Sequence, residues 1–227
     1  MKLSEEIAQF LAPNQSVAGI DFCLPKFSGS ESNALRLASA RGDEFRYPSV
    51  ALAERDARSA MHVISLLGCA PDISRDVQFH GPEAFKVQGQ DNRVRVLFGS
   101  RSNQALPWII EEGGLGDLVR FEFGVQWTII GQDRLTFSIP DPSKRNRQEY
   151  SSSIDYGVVA RVTNREKGST FLLAGLGGRA TEGAGLFLRE RWHELQNRFG
   201  NTDFAVVLEF PPPVDPQRCE AIAWYRR

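Results

Sequence analysis

The stretch 169–199, STFLLAGLGGRATEGAGLFLRERWHELQNRF, constrains the fold more than any other part of the chain. An apolar run at 170–174 meets a glycine-rich turn at 175–178, and Thr181 is expected to open a helix reaching Phe199. Ala184, Leu188, Trp192, Leu195 and Phe199 recur at steps of three or four, the spacing of one helical face. The run before the turn is apolar on both faces, which predicts a central strand. Strand, glycine turn and helix, in that order, present backbone N–H groups to an anion at a helix N-terminus.

The rest of the chain alternates in the same manner before its pattern changes. Helices are expected at 3–11, 30–40, 48–67 and 104–112, and strands at 16–22, 76–80 and 92–98. On the helix 48–67 the apolar stripe is read as Ala53, Ala57, Ala60, Ile64 and Leu67, with Glu54, Arg55, Asp56 and Arg58 on the polar side. Pro107 fits only the first turn of its helix. From 118 to 139 the sequence turns rich in Val, Phe, Trp, Thr and Ile. Strands at 118–130 and 134–139 are joined by a hairpin at 131–133. Residues 140–153 read as an exposed loop. Strands at 155–163, 170–174, 204–210 and 219–225 complete the set.

These elements predict an α/β fold: a Rossmann-like three-layer domain with a mixed sheet and an antiparallel meander insertion. No shift in composition divides 1–227, so one domain is expected. It would have an N-terminal helical and strand subregion, 1–80, and a Rossmann-like core, 91–227. The stretch 81–90 is the best place for a boundary. FSGSESNAL at 27–35 echoes FGSRSNQAL at 98–106, either as a duplicated half-domain or as a shared turn composition.

Composition excludes several classes. With 27 basic and 28 acidic residues the net charge is −1, which argues against nucleic-acid binding by overall charge. Lys144, Arg145 and Arg147 sit beside Asp141 and Glu149 and read as a solvated loop. Cys23, Cys69 and Cys219 are far apart and form no CxxC or Cys/His cluster, so no metal site is expected; buried free thiols in a reducing cytoplasm are. Neither a signal peptide nor a membrane span is anticipated.

Two turns would carry the chemistry. One is 99–103 after the strand 92–98, with Gly99, Ser100, Arg101, Ser102 and Asn103. The other is 175–182, with Gly177, Gly178, Arg179 and Thr181. Ligands of open α/β sheets sit beyond the carboxyl ends of strands. Adjacent strands would therefore bring both turns to one crevice, the glycines allowing close approach and the arginines neutralising phosphate. The alternative is a pair of ordinary strand-to-helix turns with capping residues. A P-loop, a strict GxGxxG and a GxSxG elbow are all absent. Asp155 would reach a ribose hydroxyl or a base, and Arg161 a phosphate, if they are not simply a strand-end acid and a surface cation. Trp127 and Trp192 read as core or rim aromatics. His62 and His193 read as packing residues, which leaves His80 as the one histidine to test as a general base.

VLFGSRSN at 96–103 together with LLAGLGGRATEGA at 172–184 resembles the SLOG superfamily, the Rossmann-like group that includes Lonely Guy phosphoribohydrolases. The matching positions are Gly99, Ser100, Gly177, Gly178 and Thr181. The resemblance implies a nucleotide or nucleotide-derived ligand with its phosphate on the second turn and, in some members, N-glycosidic hydrolysis. Ala180 replaces a motif glycine. Glu182 directly follows Thr181, where the enzymes place their acid further along the helix. The order GSxxSN, YGVVxR, AGxxG also resembles Rossmann-like modules of bacterial signalling and defence proteins. The expected function is a cytoplasmic nucleotide-binding sensor needing no cofactor. One alternative is a nucleotide or NAD N-glycosidase with Glu182 as catalytic acid. Another is an interaction or oligomerisation module using the meander 118–139.

Overall fold

The computed structural model describes residues 3–13, 17, 19–25, 54–69, 76–82, 93–142, 149, 152–164 and 168–227. The expected helix at 30–40, the echo at 27–35 and the basic run at 144–147 lie outside these residues. So does nearly all of the boundary stretch 81–90.

Ten strands are described: β1 (Ile20–Cys23), β2 (Val77–His80), β3 (Val94–Phe98), β4 (Val119–Phe123), β5 (Gln126–Gly131), β6 (Thr136–Pro140), β7 (Asp155–Asn164), β8 (Gly168–Gly175), β9 (Phe204–Phe210) and β10 (Glu220–Arg226). The helices are α1 (Leu3–Leu11), α2 (Glu54–Leu67), α3 (Leu106–Glu111) and α4 (Gly178–Phe199), with a 3-10 turn at Leu115–Asp117. Seven strands form one sheet in the order β10-β9-β7-β8-β3-β1-β2. Its β8-β3-β1-β2 half is parallel and its β10-β9-β7-β8 half antiparallel. The fold is therefore α/β with a mixed sheet, as the sequence predicts.

Side-chain alternation divides the interior in two. Phe22, Val96, Phe98, Phe171, Leu173, Val206 and Leu208 face α1, α2 and α4. Cys23, Leu97, Leu172, Ala174, Ala160 and Val207 face α3 and the small sheet. β8 is buried at every position, which fits its apolar composition and its place between β7 and β3.

The meander differs from expectation in one respect. The stretch 118–130 is not one strand: Gly124 and Val125 break it, and β4, β5 and β6 form a separate three-stranded antiparallel sheet. Val119, Ile129 and Ile139 turn inward, whereas Arg120, Glu122 and Thr136 are exposed, so its outer face is largely polar.

Two helices also differ from the sequence reading. α4 begins at Gly178, three residues before Thr181, with Ala184, Leu188, Trp192, Leu195 and Phe199 buried as predicted. On α2 the buried face is rotated. Asp56, Ser59, Ala60, Val63, Leu66 and Leu67 are inside, while Ile64 is 40% exposed. The cause is contact with α4: Gly185 leaves room for Ser59, and a Cβ there would strike the Ser59 hydroxyl and sit 2.7 Å from its carbonyl oxygen. That close approach turns the small residues of α2 inward and carries Asp56 with them.

Candidate functional site

β3 and β8 are adjacent and parallel, pairing Arg95–Phe98 with Thr170–Leu173. The turns 99–103 and 175–178 consequently meet at the carboxyl ends of these two strands. The Gly99 N–H continues the ladder to the Leu173 carbonyl at 3.0 Å. The Ser100 hydroxyl donates to the Gly175 carbonyl at 2.6 Å. Gly99 has φ of 84°, a left-handed backbone that side chains rarely adopt. It turns the chain sharply away towards α3 on the second-layer face, while β8 leads into α4 on the opposite face. Diverging connections of this kind open a crevice above the strand ends.

Several of the predicted site residues spend their polar groups holding these turns. The Asn103 amide donates to the carbonyls of Phe98 at 2.8 Å and Cys23 at 3.3 Å, and its oxygen accepts the Ala105 N–H at 3.0 Å. The Thr181 hydroxyl accepts the Gly175 N–H at 2.9 Å. Buried Asp155 accepts the N–H groups of Gly177 at 3.1 Å and Tyr156 at 2.8 Å. It fixes the glycine turn instead of pointing to a ribose.

The arginines are placed less simply than the sequence implies. Arg101 lies over the Trp127 ring, 5.1 Å from its centroid, and Trp127 is a half-buried rim aromatic. Arg179 donates to the Val214 carbonyl at 2.7 Å, tying α4 to the connection between β9 and β10. Arg55, which the sequence reading left on a polar face, has its stem against Gly178, where a Cβ would sit 3.2 Å from its Cγ. Its guanidinium ion-pairs with Glu182, and Arg58 approaches the same carboxylate at 3.8 Å. Glu182 is thus a buried charge held between two cations of α2.

Asp56 is the residue that sequence reasoning missed. It is 3% exposed, and its Oδ2 has no hydrogen-bond partner among the described residues. A Cβ on Gly99 would sit 3.2 Å from that oxygen and 3.1 Å from the Ser102 hydroxyl. Burial raises its carboxyl from 3.8 to about 6. Only the rotation of α2 reveals it, and the Ala57–Ile64 spacing points to a different face.

Other candidates lie elsewhere. Arg161 is fully buried under α1 and donates to the carbonyls of Phe10, Gly200 and Thr202. It pairs with Phe171, four residues short of Gly175 on β8, about 13 Å from the crevice at the usual strand rise. Its guanidinium caps two helix ends and cannot hold a phosphate there. His80, at the end of edge strand β2, contacts Asp21 at 3.2 Å, and Asp21 also accepts from Arg93 at 2.7 Å. His193 lies against the Trp192 ring, tilted by 30°, and His62 meets Arg189 at 3.3 Å. Cys23 is buried, but Cys69 is exposed and Cys219 half-buried, so buried thiols describe only one of the three. No group of three or more metal-ligating side chains occurs among the described residues, nor any helix long and apolar enough to cross a membrane.

No protein-family model, curated protein or solved structure matches the chain.

Proposed function

We propose that the crevice over β3 and β8 binds a nucleotide or a nucleotide-derived small molecule, and that the chain acts as a sensor or regulatory module. The observation that carries this reading is the adjacency of the two turns, with left-handed Gly99 on one side and the N-terminus of α4 on the other. A phosphate would lie against the first-turn N–H groups of Gly178, Arg179 and Ala180, where the helix dipole favours negative charge. Arg55 and Arg58, already gathered on Glu182, would supply the countercharge. Ser100, Asn103, Thr181 and Asp155 would hold the two turns in register without touching the ligand. Both carboxylate oxygens of Glu182 face arginines of α2, one each, so neither is turned to a scissile bond, and this favours binding over N-glycosidic turnover.

Calorimetry with a panel of nucleoside phosphates and NAD derivatives tests the reading. Saturable binding that weakens about ten-fold in Arg55→Ala is expected, the loss of one charge-assisted contact. Absence of heat across the whole panel at millimolar ligand overturns it.

A further inference from the structure

The small sheet carries a cavity that the crevice does not use. A space of about 330 Å3 opens between the 3-10 turn and the β5–β6 hairpin, lined by Asp117, Arg120, Ile130, Gln132, Arg134 and glycine backbone. Its size is at the lower end for small-molecule sites. Half-buried Ile130 gives it one apolar side. Its single carboxylate, Asp117, is occupied by Arg227 at 2.9 Å, so the two lining arginines leave the cavity positive.

Both arginines are constrained. Arg120 donates Nε to the Gly116 carbonyl at 3.0 Å, which fixes its base and leaves the terminal nitrogens for another acceptor. Arg134 has φ of 68°, the left-handed position that glycine ordinarily fills in a hairpin of this kind. The surrounding bonds enforce that geometry. The Arg134 N–H donates to the Gly131 carbonyl and the Gly131 N–H to the Leu135 carbonyl, both at 2.9 Å. Asp133 accepts from the Leu135 N–H at 3.1 Å and from the Tyr225 hydroxyl at 2.8 Å, which anchors the hairpin tip to β10. Arg134 itself has no ion-pair partner among the described residues.

We infer that this cavity binds a small phosphate monoester, its phosphate between Arg120 and Arg134 and its organic part against Ile130 and Gln132. Two guanidinium forks suit the oxygens of a dianion. The site is separate from the crevice. Trp127, under Arg101, and Gly131 lie near opposite ends of β5, about 13 Å apart at the usual strand rise.

Titration with inorganic phosphate and with glycerol phosphate, followed by backbone amide shifts, tests this. Saturable shifts at Gly116, Gly131 and Gln132 are expected, whereas shifts confined to Gly178 and Arg179 would place the anion in the crevice and overturn the proposal. Stronger binding of the monoester than of phosphate supports a pocket for the organic part; equal binding removes that element of the proposal. Arg120→Gln and Arg134→Gly should each weaken binding about ten-fold. Arg134→Gly should also melt at or above the wild-type temperature, because glycine relaxes the left-handed backbone. Affinity unchanged in both variants, or no saturation at millimolar ligand, overturns the inference.

Discussion

Ser100 donates its hydroxyl proton to the Gly175 carbonyl at 2.6 Å, so the turn after β3 and the turn after β8 are one hydrogen-bonded unit. The bond is buried, Ser100 being 5% exposed. Ser100→Ala should lower stability in urea denaturation by about 1–2 kcal/mol, the usual cost of leaving a buried acceptor without its donor. It should also weaken any ligand that bridges Gly99 and Gly178. Unchanged stability would mean that the two turns hold their relation without this bond.

Asp56 gives the chain a stability that depends on pH. Its carboxyl rises from 3.8 to about 6 on folding, through burial. The folded protein therefore binds this proton more tightly than the unfolded chain. The cost of ionising it is absent below about pH 4 and complete above about pH 6, so this residue's contribution to stability falls as pH rises through that window. The shift corresponds to at most about 3 kcal/mol. Asp56→Asn is neutral throughout. It should be more stable than the wild type at pH 7.5 and lose the advantage at pH 4, as read from urea midpoints at both values. A constant difference across the two would remove Asp56 as the source.

The sequence was most legible where one pattern had one explanation. β8 is apolar at every central position because it lies mid-sheet, and the period of α4 names its buried face correctly. The pairing of the two turns was legible only as a condition, since β3 and β8 are separated by the whole meander and nothing local specifies that they become neighbours. Asp56 and Ile64 were misplaced for a different reason. Alanines at 53, 57 and 60 form a plausible stripe, but small residues are equally suited to the close contact at Ser59 and Gly185, which sets the rotation of α2. Arg161 was misread because a cation in a strand ordinarily faces solvent. Only the tertiary fold brings three carbonyls to it.

The contact of α2 with α4 can be tested at Gly185. A methyl group there would collide with the Ser59 hydroxyl and lie 2.7 Å from its carbonyl oxygen, which is backbone and cannot rotate away. Gly185→Ala should therefore destabilise by about 1–3 kcal/mol despite the better helix propensity of alanine. Because α2 carries Arg55 and Asp56, the same variant should weaken nucleotide binding measured by calorimetry. A stabilised Gly185→Ala protein would show that the helices are further apart than this packing requires.

Arg161 ties the N-terminal helix to the sheet. It is fully buried, stacks over Phe10 and Phe204, and donates to the Phe10 carbonyl at the end of α1 and to the Gly200 and Thr202 carbonyls beyond α4. Burial lowers its pKa to about 10, with the Asp203 charge opposing, so the guanidinium remains charged at neutral pH. Three backbone acceptors take the place of water on its terminal nitrogens, while Nε is buried with no partner among the described residues. Arg161→Met keeps most of the apolar volume but leaves those carbonyls buried without donors, which should cost about 3–5 kcal/mol. For a chain of this size that is a fall in melting temperature of about 10 °C. Arg161→Lys retains the charge, but a single ammonium does not span acceptors from two helix ends, so its loss should be intermediate. Scanning calorimetry ranks the three proteins. If Arg161→Lys matched the wild type, charge alone would account for the tie, and the fork geometry would have no part in docking α1.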